Sequence, residues 1–210
     1  LHIASSFALT SAFIPEAIQL FHRKRTLTDI RFMALPPRQV AELVAKRAVD
    51  LGVLYEPPEL PNLQQTPLCD AEIVCVLPKG HYFEDREEIH ASDLIEHTLI
   101  SFSPQSYAGN LLQKNCASNG IPWTVAIEVN QATAALSMVE AGIAIAVVDP
   151  FAVINSRTQN IVIKPFRPRT VLHSRAIYAA HQNSKLCSEF VAALHEVVAK
   201  HSGRMPNFLR

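Results

Sequence analysis

Hydroxyl and amide side chains recur in one kind of place, after a strand-like apolar run and before a helical pattern. These places hold Ser5 with Ser6, Ser101 with Ser103, and Gln131 with Thr133. Each place combines polar side chains with the unpaired N–H groups of a helix N-terminus, and that combination binds carboxylates without a full positive charge. Serine and threonine are also favoured helix N-caps. The pattern therefore predicts anion-binding loops, with simple capping as the alternative at each position.

Two carboxylates follow other predicted strands. Asp149 comes directly after the apolar run Ile143–Val148, and Glu56 comes at the end of the third predicted strand. Either side chain can accept an ammonium or guanidinium group. Asp149 is equally well placed as the N-cap of a following helix. Together with the hydroxyl-bearing loops, these carboxylates indicate an amino acid, or a derivative of one, as the bound molecule.

The familiar catalytic and metal-binding patterns are missing from the sequence. It contains no G-x-S-x-G, H-E-x-x-H, P-loop or G-x-G-x-x-G motif. The closest histidines, His81, His90 and His97, fall in predicted turn and surface segments, where solvation is their expected role. No pair of carboxylates stands out for acid–base work. We therefore predict no catalytic residues, no metal site, no cofactor and no enzymatic activity.

Charge and cysteine content narrow the class of protein further. Nineteen basic residues balance nineteen acidic ones in the 210-residue chain, whereas a stand-alone DNA-binding domain normally has a basic excess. The four cysteines lack CxxC spacing, which favours buried thiols in a reducing, cytoplasmic compartment. No apolar run approaches the roughly 18 residues of a membrane span. The start, Leu1-His2-Ile3, does not resemble a signal peptide, and we interpret the chain as a fragment.

The segment Gln131–Pro150 organises the predicted fold. Its first half has a helical period, with Ala135, Met138 and Val139 on one face. Gly142 stands where a helix C-cap needs a left-handed residue. The apolar run that follows is typical of a strand buried on both faces of a mainly parallel sheet. Asp149 then lies at the carboxyl end of that strand, where open α/β sheets bind ligands.

The rest of the chain predicts an α/β architecture of two lobes. The first residues read as strand, helix, strand, helix, strand, with Ser5-Ser6-Phe7 as a polar loop. Ala71–Leu77 reads as one strong strand, a second lobe follows it, and 173–180 reads as a further strand. These two extended segments would join the lobes, and the cleft between lobes is the expected ligand site.

The order and spacing of several motifs resemble the effector-binding domain of LysR-type transcriptional regulators over essentially the whole chain. The matching pieces are LHIASS, IPEAIQLFHRKR, VAKRAVDLGVL, AEIVCVLPKGH, SDLIEHTLISFS and MVEAGIAIAVVDP. The closing VVDP is similar to a branch whose regulators respond to opines and arginine-related amino acids. The resemblance implies two Rossmann-like lobes joined by two hinge strands, like a type 2 periplasmic binding protein. On that basis lobe I is 1–77 with 178–210, and lobe II is 78–177.

The resemblance also implies binding residues and partners. Carried onto this chain, the effector contacts are Ser5, Ser6, Phe7, Ser101, Ser103, Gln131 and Thr133, with Asp149 as a further candidate. The 101–109 loop, SFSPQSYAG, contains no arginine to anchor a second carboxylate. We expect a homodimer through this domain and a tetramer at full length. DNA contacts would belong to a helix-turn-helix domain preceding Leu1.

Three functions remain open from the sequence, and the first is preferred because of the resemblance. The chain is the small-molecule sensor of a transcription regulator, the solute-binding protein of a transporter, or an enzyme on a two-lobed scaffold. The transporter and the regulator share the fold, and the residues encoded upstream would separate them.

Overall fold

The computed structural model describes residues 1–55, 63–154, 156, 158–179, 184–205 and 207–209. The chain divides into two compact units. Unit 1 is formed by Leu1–Asp70 and His173–Arg210, and unit 2 by Ala71–Leu172.

The elements alternate between helices and strands through most of the chain. The helices are α1 (Phe7–Ala12), α2 (Ile14–Lys24), α3 (Pro37–Ala45), α4 (Tyr107–Ser118), α5 (Ala132–Glu140), α6 (Phe151–Ile154) and α7 (Lys185–Arg204). The strands are β1 (His2–Ser6), β2 (Arg31–Leu35), β3 (Leu51–Tyr55), β4 (Leu63–Glu72), β5 (Val74–Pro78), β6 (Ile89–His90), β7 (Leu99–Phe102), β8 (Ile127–Val129), β9 (Ile145–Val148), β10 (Ile161–Arg167) and β11 (Val171–Ala179). A 3₁₀ turn spans Ala91–Leu94.

Unit 1 is built on a five-stranded sheet of order β2-β1-β3-β11-β4. The strand β1 runs parallel to β2 and β3, and β11 runs antiparallel to β3. Because the first three strands are parallel, their carboxyl ends, Ser6, Leu35 and Tyr55, share one edge of the sheet. The start of β11 reaches the same edge, since Ser174 lies opposite Tyr55.

The helices of unit 1 begin and pack as their sequences dictate. Proline occupies a first-turn position in both α2 and α3, where its missing N–H costs least. The helix α3 buries Val40, Ala41 and Val44 in a cluster with Ala4 of β1 and Ile177 of β11. The long helix α7 packs against α2, so the last helix of the chain completes the core of unit 1.

Unit 2 contains a six-stranded mixed sheet of order β6-β10-β5-β9-β7-β8. The strand β7 is parallel to β8 and β9, while β5 is antiparallel to β9. The carboxyl ends of β7, β8 and β9 therefore meet at one edge. The residues that follow these three strands, beginning with Ser103, Asn130 and Asp149, leave the sheet from that edge.

The segment predicted to organise the fold forms the helix–strand pair α5–β9. Gly142 has a φ of +72°, and Gly142 N donates to Val139 O at 2.9 Å, which confirms the predicted left-handed helix end. All four residues of β9 are buried, but the apolar run predicted as a strand begins two residues earlier, at Ile143, which precedes β9 and is 55% exposed. The hydrophobic pattern is therefore explained by a strand covered on both faces.

Two predicted segments differ from the structure. Ser5-Ser6-Phe7 is not a loop, because β1 runs through Ser6 and α1 begins immediately at Phe7. Ala71–Leu77 is not one strand but the end of β4 and most of β5, interrupted at Ile73. Ile73 N donates instead to Thr170 O at 2.9 Å, a bond from a distant part of the chain that no local pattern could indicate.

None of the described helices is long and apolar enough to cross a membrane.

Candidate functional site

The carboxyl edge of the unit 1 sheet carries the first pair of predicted residues. Ser5 is fully buried and Ser6 is 2% exposed. Ser5 Oγ donates to Ser6 O at 3.1 Å. Ser6 Oγ is buried and, among the described residues, has no hydrogen-bond partner. A buried hydroxyl without a partner costs free energy, so Ser6 is the stronger candidate of the pair for contact with a bound molecule.

The position of Ser6 follows from the direct passage of β1 into α1. Ser6 is the N-cap residue of α1, but its side chain does not cap the helix. Thr10 Oγ1 donates to Ser6 O at 3.1 Å, which holds the turn. Phe7 is the first residue of α1 and is 36% exposed. The structure thus places Ser5, Ser6 and Phe7 together at this edge.

Ser174 is a polar residue at the same edge that no local sequence pattern indicates. It is fully buried on β11, opposite Tyr55. Its hydroxyl has no nitrogen or oxygen partner among the described residues, and its neighbour is the Cys69 thiol. Ser174 belongs to an antiparallel strand that returns from elsewhere in the chain. The pattern of a polar residue that follows a strand and precedes a helix therefore does not include Ser174.

In unit 2, Ser101 has a structural partner. It lies on β7 opposite Val147 of β9, is fully buried, and donates from Oγ to Val147 O at 2.7 Å. This bond links β7 to β9. The hydroxyl proton of Ser101 is therefore already used within the sheet.

Ser103 lies just beyond the end of β7 and is held by the start of α4. Ser103 O accepts from Ser106 N at 2.9 Å and from Ser106 Oγ at 2.7 Å. The Ser103 and Gln105 side chains are hydrogen bonded to each other. Ser106 Oγ in turn accepts from Gly109 N at 3.0 Å, capping α4. Ser103 is half-buried in a turn that the first residues of α4 define.

Gln131 and Thr133 lie at the start of α5, just after β8. Gln131 is the N-cap residue, with φ −139° and ψ 127°, and its side chain makes no capping bond. Both side chains are exposed. The side chains and the free N–H groups of this helix end can therefore meet an anionic group.

Asp149 is the fully buried carboxyl of unit 2. Its Oδ1 accepts from Phe151 N at 3.0 Å, which confirms the capping role at the start of α6. Its Oδ2 is buried and has no partner among the described residues. Burial raises the pKa of Asp149 to about 7, although backbone N–H groups of Phe151 and Ala152 favour the anion.

The remaining predictions concern Glu56 and metal binding. Glu56, predicted as a binding residue, lies outside the described residues. In the described ranges, no group of three or more His, Cys, Asp or Glu side chains is arranged to hold a metal ion.

The site residues therefore form one set in each unit. Ser5, Ser6, Phe7 and Ser174 lie at the carboxyl edge of the unit 1 sheet, and Ser101, Ser103, Gln131, Thr133 and Asp149 lie at that of unit 2. Hydroxyls, an amide and helix N–H groups suit a carboxylate, while Asp149 suits a cation. Neither set contains an activated nucleophile, because no base lies within hydrogen-bonding distance of its serines in the described contacts.

Comparison with known proteins gives a consistent result over nearly the full chain. Residues 1–203 match the family model of the LysR substrate binding domain. The regulatory protein NocR of Agrobacterium tumefaciens (strain T37) is 30% identical over 195 residues, covering 92% of this chain and 65% of NocR. The transcriptional activator protein LysR of Escherichia coli (strain K12) is 23% identical over 166 residues, covering 79% of this chain and 53% of that protein. The chain thus spans less than two thirds of the length of these relatives.

Solved structures resemble the fold at low sequence identity. A reduced form of OxyR from N. meningitidis has a TM-score of 0.78 at 18% identity and covers 94% of both chains. The CcmR regulatory domain from Synechocystis PCC6803, solved in complex with 2-PG, has a TM-score of 0.80 at 18% identity, covering 94% of this chain and 96% of that one. These likenesses confirm the predicted fold class, two α/β lobes of the type 2 periplasmic-binding-protein kind.

Proposed function

This chain belongs to the family of LysR substrate binding domains, and we propose that it senses a small-molecule effector for a LysR-type transcriptional regulator. The observation that carries the proposal is the family match over residues 1–203. The two named relatives are a regulatory protein and a transcriptional activator. This favours the regulator over the transporter and the enzyme as the function of the chain.

We propose that the effector is an amino acid or an amino-acid derivative. The exposed Gln131 and Thr133 side chains and the free N–H groups of α5 suit its carboxylate. The unpaired hydroxyl of Ser6 supplies a further polar contact. Asp149 supplies the acceptor for the positive charge of the effector. Further proposed effector contacts are Ser5, Phe7, Glu56, Ser101 and Ser103.

The wider partners are also part of the proposal. DNA would be bound by a helix-turn-helix domain outside this chain, in the cytoplasm, with the complete regulator a dimer or tetramer. An effector can shift such an assembly only if it binds two of its arrangements with different affinity. Small-angle scattering of the full-length protein on its operator, with and without saturating effector, tests this step.

The test of the sensing function is a thermal-shift screen of this chain. The compounds are arginine, ornithine, opines, other amino acids, dicarboxylates and aromatic acids. A ligand at one hundred times its Kd adds about 2.7 kcal/mol, a rise of roughly 5–10 °C in Tm for a chain of this size. A stabilising amino acid whose effect is lost in Thr133→Val supports the proposal. Stabilisation by aromatic acids or dicarboxylates alone would overturn the amino-acid class and keep the sensing function.

A further inference from the structure

One carboxyl oxygen in unit 2 is buried without a role in the fold. Asp149 caps α6 through Oδ1, which accepts from Phe151 N at 3.0 Å. Its Oδ2 has no partner among the described residues and is not exposed to solvent. An N-cap needs only one acceptor oxygen, and asparagine or serine would supply it equally well. The second oxygen is therefore available to a molecule that the free chain does not contain.

Among the described residues, β5, β7, β9, α5 and α6 carry no positive charge to balance a carboxylate at Asp149. The strand β10, which pairs with β5 and packs on α5, carries Lys164 and Arg167, and Arg167 is paired with Glu88. The strand β9 lies between β5 and β7, and none of the three contains a charged side chain. The only titratable group on them is the Cys75 thiol, whose pKa burial raises. The helix α5 packs on β9 and α6. Its one charged residue is Glu140, which lies at the end of the helix opposite Gln131. The short helix α6 is uncharged.

A lone ionised carboxylate in such surroundings is costly, and burial keeps the group protonated instead. The burial that raises the pKa of Asp149 to about 7 agrees with the geometry, in which Oδ2 is buried and has no hydrogen-bond partner among the described residues.

Resting on the sensing function proposed above, we propose that Asp149 binds the ammonium or guanidinium group of a cationic amino-acid effector and releases a proton when it does so. In the free chain the carboxyl group is mainly neutral below about pH 7. When the cation reaches Oδ2, the O–H bond breaks, the proton leaves to the solvent, and the carboxylate pairs with the ligand. Because Asp149 is fully covered in the free chain, the groups above it must move aside as the ligand enters.

The proton release has a measurable consequence for affinity. Only the ionised form of Asp149 pairs with a cation, so the apparent Kd rises as the ionised fraction falls. For a carboxyl that titrates near 7, affinity for a cation should increase about tenfold between about pH 6 and about pH 8. A ligand held by its carboxylate alone should show no such increase.

The experiment combines two measurements on this chain. First, the Asp149 side-chain carboxyl carbon is followed by NMR between about pH 4 and about pH 9, with Asp149→Asn used to assign the signal. Second, L-arginine and L-ornithine are titrated calorimetrically at about pH 6 in two buffers of different ionisation enthalpy. We expect a midpoint near neutrality and a net release approaching one proton per ligand. Asp149→Asn should abolish the release and weaken binding, whereas Glu140→Gln, an exposed acid of the same unit, should change neither.

The outcomes separate this inference from the sensing function. A carboxyl carbon that titrates near its ordinary value of about 4 overturns the inference, as does arginine binding without proton release and with the same affinity in Asp149→Asn. Stabilisation of the chain only by neutral or anionic compounds also overturns the inference, and leaves the sensing function standing. No stabilisation by any compound of the thermal-shift panel counts against both.

Discussion

A Cβ atom placed on Gly109 would lie 2.1 Å from the carbonyl oxygen of Ser103 and 2.8 Å from that of Phe102. The first turn of α4 therefore approaches the end of β7 more closely than any residue with a side chain permits. That approach positions the turn containing Ser103, a proposed effector contact. Glycine is required here because a Cβ atom does not fit. Backbone conformation is not the reason, because Gly109 is not in the left-handed region.

Gly109→Ala should therefore displace the Ser103 turn. Because the obstruction is backbone and not the flexible end of a side chain, we expect a loss of about 1–3 kcal/mol in the free energy of unfolding. Urea denaturation measures the loss, and amide chemical shifts of 101–109 report the displacement. Gly203→Ala is the matched control, since its Cβ would meet nothing within 4 Å and α7 should be unchanged or more stable by about 0.5–1 kcal/mol. Equal stability of the two variants would contradict the assigned role of Gly109.

Asp149→Asn should change how stability depends on pH. The folded-state pKa of Asp149, about 7, is above its unfolded value. The folded chain therefore holds this proton more tightly, and the resulting stability is full below about pH 4 and is lost as the pH rises to about 7. Relative to Asp149→Asn, the natural chain should lose on the order of 2–4 kcal/mol across that interval.

The measurement is the difference in unfolding free energy between the two proteins at each pH. Taking the difference cancels the carboxylates whose pKa is lowered, such as Glu16, held by Lys200 and His201, and Asp93, paired with Arg86. The Asn side chain preserves the oxygen that accepts from Phe151 N, so the variant should fold. Parallel curves for the two proteins would show that the pKa of Asp149 is the same in the folded and unfolded states, which contradicts the prediction.

Substitutions at Ser101 and Thr133 should distinguish a hydroxyl that stabilises the fold from a hydroxyl that binds the effector. Ser101→Ala removes a buried 2.7 Å bond to Val147 O, and we expect a loss of about 0.5–1.5 kcal/mol in stability. Thr133→Val removes an exposed hydroxyl and should leave stability within about 0.5 kcal/mol while weakening binding of the stabilising amino acid. Chemical denaturation and calorimetric binding should be measured on both variants. The assignment fails if Ser101→Ala is as stable as the natural chain, or if Thr133→Val binds with full affinity.

The four cysteines should react slowly with thiol reagents while the chain is folded. All four are free and buried, and burial raises the pKa of Cys69 and of Cys116 to about 11. At about pH 8 such a thiol is ionised to roughly one part in a thousand, and the thiolate is the reactive form. Timed alkylation followed by mass spectrometry should find no rapidly modified cysteine in the native chain and four in denaturant. One thiol that reacts rapidly and stoichiometrically would instead indicate a redox role.

The α5–β9 pair shows which features of the fold the sequence alone can predict. The helical period before Gly142 and the short apolar run after it define a helix, a left-handed turn and a strand buried on both faces, as the structure confirms. The same local logic places Gln131, Thr133 and Asp149 at the carboxyl edge of a sheet. These features depend on residues within a few positions of one another, so composition and spacing determine them.

The partners of the polar side chains were decided only by the tertiary structure. Ser101 and Ser6 have the same residue type in the same kind of place, yet Ser101 bonds to Val147, 46 residues away, and Ser6 Oγ has no partner. The break at Ile73 depends on Thr170, and Ser174 reaches the edge of unit 1 on a returning antiparallel strand. Local sequence determines which backbone conformation is stable. Whether a buried hydroxyl or carboxyl has a hydrogen-bond partner, or remains available to a ligand, depends on atoms that the fold brings from distant positions.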